Sequence, residues 1–170
     1  MSAIDRVVVP RVVVMGVSAA GKSTVAAELA SMLGVPFADA DDLHPEDNRA
    51  KMAAGVPLTD DDRWPWLAKV GTTLSKADHG LVIACSALRR SYRDLIRHAA
   101  PDAFFLHLTG DRELLRSRSS ARVGHFMPHS LLESQFATLE PLEADERGAT
   151  IDVKPPPEAV VFNALSAMHR

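Results

Sequence analysis

Chemistry is most concentrated in the stretch MGVSAAGKST, residues 15–24. Gly16, Gly21, Lys22 and Ser23 fit the spacing G-x-x-x-x-G-K-[ST], that of a loop that holds phosphate. The glycines permit a tight turn in which several backbone N–H groups point into one concavity, and such a nest attracts an anion. Gly16, Val17, Ser18, Ala19, Ala20, Gly21, Lys22, Ser23 and Thr24 are therefore the expected nucleotide-binding residues. Lys22 would reach the β- and γ-phosphates, and the Ser23 hydroxyl would take a coordination position on Mg2+. Upstream, Val12-Val13-Val14 reads as a buried strand. Downstream, Val25, Leu29, Met32 and Leu33 recur at helical spacing before Gly34, a suitable cap. Strand, loop and helix in that order is what the mechanism requires, because the helix N-terminus adds its dipole to the anion site. The loop is read as binding a nucleoside triphosphate.

Carboxylates crowd the end of the next apolar stretch. In FADADDLHPEDNRAKM, Asp39, Asp41 and Asp42 stand close together, followed by His44 and by Pro45, which can open a helix. Like charges this close are costly unless a cation or basic side chains balance them. A magnesium–triphosphate with its lysine would supply that balance. One carboxylate could then take the proton from an attacking hydroxyl while another holds a magnesium-bound water. An acidic loop that only caps the following helix is the plainer alternative.

Two arginine-rich segments follow. CSALRRSYRDLIR carries Arg89, Arg90, Arg93 and Arg97, of which Arg90 or Arg93 could grip a carboxylate or phosphate by a two-pronged contact, or pair locally with Asp94. TGDRELLRSRSSARVGHFMPHS carries Arg116, Arg118 and Arg122 ahead of Gly124 and Pro128. Arg118 and Arg122 share a helix face, and arginines beside a glycine-hinged loop suit a lid that closes over phosphates. Cys85, the only cysteine, ends an apolar strand and reads as a small buried hydrophobe; Trp64 and Trp66 read as packing residues that could also line a pocket. The histidines show no metal-ligand spacing.

These motifs need a scaffold that brings strand ends together. Short apolar strands are expected near 11–15, 35–38, 81–85, 103–108 and 149–153, alternating with helices near 22–33, 45–54, 62–78, 87–99, 111–121, 128–139 and 157–168. Such alternation predicts a parallel sheet covered on both faces by helices, with ligands at the carboxyl ends of the strands. The 170 residues suit one domain, 1–170, and residues 1–6 are expected to be a loose tail. A net charge of −3 gives no electrostatic case for nucleic acid or membrane as a partner. The first apolar run is split by Pro10 and Arg11, so no signal peptide or spanning helix is expected and a cytoplasmic protein is.

Among phosphate-loop proteins, a guanine-specific switch would show an N-K-x-D-like stretch, and none is present. A motor ATPase would end an apolar strand in an acidic metal ligand, whereas LVIAC runs into Ser86. A small-molecule kinase needs a carboxylate near the phosphates and a basic lid, and both are available. A nucleotide sensor without turnover is the alternative of a different class.

The combination L-H-P, N-x-x-K-M, G-x-P-L-x-D-x-D-R-x-P-W-L and C-S-A-L is far more specific than the phosphate loop. It lies in DADDLHPEDNRAKMAAGVPLTDDDRWPWL and CSALRRSYRDLIR, and GHFMPHSLLESQFATLEPLEADE extends it. Through these stretches the chain resembles the gluconokinases of the shikimate- and adenylate-kinase-like P-loop group. The resemblance implies a P-loop NTPase-type three-layer α/β/α fold with a five-stranded parallel sheet and a helical lid near 119–130, and a substrate-binding helical region near 41–66. It implies transfer of the γ-phosphoryl group of ATP to the 6-hydroxyl of D-gluconate, with Mg2+, in a homodimer that feeds sugar-acid catabolism. Residue by residue, it implies that Ser23 and Asp39 organise the magnesium shell, that Asp41 is the base, and that Lys22 and Arg122 act on the phosphates. Arg118 would stack on adenine. His44, Arg49, Lys51, Asp60, Asp62, Arg63 and Arg93 would bind gluconate. The chain departs from the family pattern at SAAGKS, where relatives often carry a further glycine; Ala19 and Ala20 fit only if their φ angles are negative. It departs again at Arg89-Arg90, where lysines are common, and at Asp42.

Overall fold

A computed structural model describes residues 8–121 and 129–170. The expected tail and much of the expected lid, Arg122 included, lie outside the described residues. The strands are β1 (Arg11–Met15), β2 (Phe37–Asp39), β3 (Leu81–Ala84), β4 (Phe104–Thr109) and β5 (Gly148–Asp152). They form one sheet in the order β2-β3-β1-β4-β5, with every pairing parallel. The helices are α1 (Lys22–Leu33), α2 (Glu46–Ala53), α3 (Asp60–Ser75), α4 (Arg90–Ala99), α5 (Arg112–Ser120), α6 (His129–Thr138) and α7 (Pro157–Met168).

The helices cover both faces, giving three layers. Val12, Val14, Leu106 and Leu108 turn toward α1 and α7, where Val25, Leu29, Val160 and Val161 complete one core. Val13, Met15, Ile83 and Phe105 turn the other way onto Leu67, Val70, Leu74 and Ile96 of α3 and α4. Strands apolar on both faces, as in the valine run of β1, belong in such a sandwiched parallel sheet. Sheet order reverses between β1 and its neighbours β3 and β4, so the crevice opens beyond the carboxyl end of β1, where the phosphate loop sits.

Some element limits differ from expectation, each for a local reason. β2 starts at Phe37 rather than 35 because the Val35 N–H still closes the end of α1 on the Ala30 carbonyl, and Pro36 has no N–H to give the sheet. α3 starts at Asp60 rather than 62 because Thr59 and Asp62 form a reciprocal capping box. α4 starts at Arg90 rather than 87, since Ala87 holds a left-handed φ of 43° that a helix cannot contain.

Candidate active site

Beyond β1 the chain turns sharply at Gly16, whose φ is 146° and where a Cβ would lie 2.6 Å from the Leu108 carbonyl oxygen. A short 3-10 turn at Ser18–Ala20 and a left-handed Gly21 then lead straight into α1. Both glycines of the motif are thus demanded by backbone geometry, one by close approach to β4 and one by conformation. Among the described residues Ala87 is the only non-glycine with positive φ, so Ala19 and Ala20 meet the condition their presence imposed. The Lys22 ammonium lies back across the loop and donates to the Val17 carbonyl at 3.1 Å.

Asp39, ending the neighbouring part of the sheet, joins this loop to the acidic turn. One of its oxygens accepts from the Ser23 hydroxyl at 3.2 Å and the other from the Asp41 N–H at 3.0 Å. The two residues expected around a magnesium ion are therefore in contact. The described residues contain no cluster of histidine, cysteine or carboxylate ligands able to hold a metal by themselves. One hydroxyl and one carboxylate beside a phosphate cradle is a donor set that fits Mg2+, which keeps water and substrate phosphate in its shell. Desolvation raises the Asp41 carboxyl above its ordinary range, and Asp39 and Asp42 push it the same way against the pull of Lys22. A raised carboxylate in the cleft beside Lys22 has the character of a proton acceptor. Cys85 is buried and its thiol is pushed up to about 12 by that burial, so it is no nucleophile.

Across the cleft, α2, α3 and the start of α4 carry a network of side chains. His44 is buried and stacks on Trp66 with ring centroids 4.1 Å apart. The Asn48 amide nitrogen donates to the Asp62 carbonyl at 2.9 Å and meets His44 Nδ1 at 3.2 Å. That makes Nδ1 the acceptor and leaves the proton on Nε2. Burial, with Arg49 and Arg63 nearby, lowers the His44 pKa, so the ring is a neutral donor. Asp60 is a hub: it accepts from the Tyr92 hydroxyl at 2.5 Å and from Arg63 at 3.1 Å, and Arg89 approaches it at 3.7 Å. The Tyr92 bond is the main reason its carboxyl lies below the ordinary range.

Not every expected acceptor ligand is available there. Arg49 braces the turn, donating to the carbonyls of Asp42 and His44 at 2.7 and 3.2 Å. Lys51 pairs with Asp62 at 2.7 Å, and Asp62 also caps α3 through Thr59; these bonds hold its carboxyl at about 2. Arg93 is corrected outright. It is fully buried, forks onto Glu146 at 2.7 and 3.0 Å, and donates further to the carbonyls of Ala87, Leu88 and Pro141. These contacts occupy its five N–H donors, leaving none for a ligand. Its place is beneath the strained Ala87 turn, which it supports. Desolvation pushes Glu146 upward, but bonds from Arg93, the Glu143 N–H and Arg97 outweigh it and hold the group near 2.

Arg118 lies half-buried in the last turn of α5. Three residues absent from the sequence reading also shape the site. Tyr92 completes the Asp60 hub. Gln135 of α6 accepts from the Ser18 N–H and hydroxyl at 2.8 and 3.0 Å. Glu140 receives the Arg90 N–H at 2.9 Å and so ties the chain after α6 to the start of α4. All three stand inside the stretches that carried the family resemblance, which was the only available signal.

Comparison with known proteins accords with this geometry. The profile of the shikimate kinase family matches residues 18–135. The chain is 42% identical over 162 residues to the thermoresistant gluconokinase of Escherichia coli (strain K12), covering 93% of each. It is 47% identical over 152 residues to the gluconokinase of Gluconobacter oxydans (strain 621H), covering 88% of this chain and 85% of that one. The crystal structure of a gluconokinase from Sinorhizobium meliloti 1021 superposes with a TM-score of 0.88 at 46% identity, covering 95% of this chain and 93% of that one.

Proposed function

The chain belongs to the gluconokinase family, within the shikimate-kinase-like P-loop kinases, and from that premise we propose how its residues divide the work. The reaction is ATP-dependent phosphorylation of gluconate to 6-phosphogluconate. A bond forms between the gluconate 6-oxygen and the γ-phosphorus, the bond from that phosphorus to the bridging oxygen breaks, and ADP leaves with the electron pair. Asp41 accepts the proton of the attacking hydroxyl. Its place carries this assignment: the Asp41 N–H is bonded to Asp39, which itself meets Ser23 at the end of the phosphate loop, and desolvation raises its carboxyl toward the character of a base.

The loop N–H groups and Lys22 hold the phosphates and offset charge as it develops. Ser23 and Asp39 would hold Mg2+, which supplies charge neutralisation on the phosphates when bound. The neutral His44, with Arg63, Arg89, Asp60 and Tyr92, offers donors and acceptors suited to a polyhydroxylated acid, and the guanidinium groups suit its carboxylate. Arg118 and Arg122 are kept as the residues over adenine and the γ-phosphate on the strength of the family pattern. A homodimer and cytoplasmic residence belong to the same reading; no described helix is long and apolar enough to cross a membrane.

Product analysis by 31P NMR tests the assignment. Incubation with ATP, Mg2+ and D-gluconate should give a phosphomonoester on carbon 6, and EDTA should abolish it. A phosphate at another carbon, or unchanged turnover in EDTA, would overturn the acceptor geometry or the metal role respectively.

A further inference from the structure

α6 reaches the phosphate loop directly. Its Gln135 side chain reaches the third residue of the phosphate loop, 117 positions away in sequence, and bonds both the N–H and the hydroxyl of Ser18. A backbone N–H can only donate, so the atom it meets is the amide oxygen and the orientation of the amide is settled. Ser18 opens the 3-10 turn whose next residues lead to Gly21 and Lys22, and Val17 before it provides no side-chain cap. Gln135 supplies that cap from a distant helix.

α6 itself is well anchored. Glu133 forks onto Arg116 of α5 at 2.5 and 3.0 Å. The next turn sets Phe136 beneath the Arg112 and Arg116 guanidinium groups, 5.2 and 5.7 Å from the ring centre. After α6, the Glu140 N–H bonds the Leu88 carbonyl at 2.7 Å, fixing the far end to the acceptor-side loop. The start of the turn also packs on α6, since Val17, Ala19 and Ala20 share one buried cluster with Leu132 and Phe136, while a cavity of about 130 Å3 opens beside them toward His107, Arg112 and Leu139. Apolar contact is non-directional, so the two hydrogen bonds add what it lacks: they fix the orientation of the Ser18 N–H relative to α6.

We infer that Gln135 is a positioning residue for nucleotide binding: it seats the phosphate loop against α6, so that the loop N–H groups are preorganised for the triphosphate. The inference rests on the kinase reading above. Gln135→Met keeps length and helix propensity while removing the acceptor. It should raise KM for ATP and weaken equilibrium ADP binding by about tenfold, with KM for gluconate within about twofold of wild type. Ser18→Ala removes one of the two donors and should weaken ADP binding by about threefold in the wild-type background, and by clearly less in Gln135→Met. ADP affinity unchanged in Gln135→Met would overturn the inference, as would effects of the two substitutions that multiply independently. ADP binding needs no acceptor. A wild type with no gluconate-dependent turnover would therefore refute gluconate as the acceptor, while a tenfold loss of ADP affinity in Gln135→Met would still support the inference.

Discussion

The donor and acceptor halves of the cleft are built on different principles. The donor half is mostly backbone: Gly16 pressed against the Leu108 carbonyl, a short turn, left-handed Gly21, and a helix beginning at Lys22. The acceptor half is mostly side chains that engage one another: Lys51 with Asp62, Arg49 with loop carbonyls, Asp60 with Tyr92 and Arg63. A backbone site depends on a few residues of obligatory type. A side-chain site depends on which pairs form across the fold, and many of its charges serve the scaffold before any ligand arrives.

The sharpest break should come on the donor side. Lys22→Ala should lower kcat/KM by about 10^3-fold in a coupled ADP-release assay, because the ammonium that lies across the phosphate loop is the charge that offsets the transferring group. Asp41→Asn should lower kcat by about 10^2- to 10^4-fold with ADP affinity largely preserved. The same variant should melt higher than wild type, because it removes a desolvated charge crowded by Asp39 and Asp42. The sign of the pH effect follows from the raised folded-state pKa: protonation persists to higher pH than for an ordinary aspartate. The acid limb of the wild-type kcat/KM profile should therefore lie above 3.8, and a limb at or below that value would remove Asp41 as the base.

On the acceptor side the effects should separate into stability and affinity. Arg93→Met leaves Glu146 buried without its main partner and should cost about 3–5 kcal/mol in urea unfolding, with far smaller changes in KM for the fraction that folds. Glu146 is depressed from 4.5 to about 2, so its contribution to stability is fully present above 4.5 and is lost as pH falls toward 2. Wild-type stability should thus drop through that window more steeply than in Glu146→Gln. Arg63→Met should have the smallest effect, about a tenfold rise in KM for gluconate with KM for ATP unchanged. Equal rises in both would erase the division between the halves.

The same contrast explains what could be read in advance. The parallel alternation and the loop were legible because Gly16, Gly21 and the valine run obey local rules of φ, packing and period. β2 came out two residues late because the helix cap claims Val35, a tertiary-independent detail hidden by an apolar residue where a strand was expected. Ser23 and Asp39, which the motif and the family pattern placed around one magnesium ion, stand in direct contact. Arg93 misled because a helical arginine at a strand end looks the same whether it faces a ligand or a buried glutamate; only Glu146, brought up from beyond α6, decides. Gln135 and Tyr92 went unread for the reverse reason, since neutral polar residues give no periodic or charge signal of the distant partners they serve.

The most direct test of the whole account is ADP release from Mg-ATP by the wild-type protein, with and without D-gluconate, beside shikimate and gluconate epimers. Strong stimulation by D-gluconate and little by the others is the expected result. ADP release that is equal with and without gluconate, in a protein that still binds ATP, would contradict it.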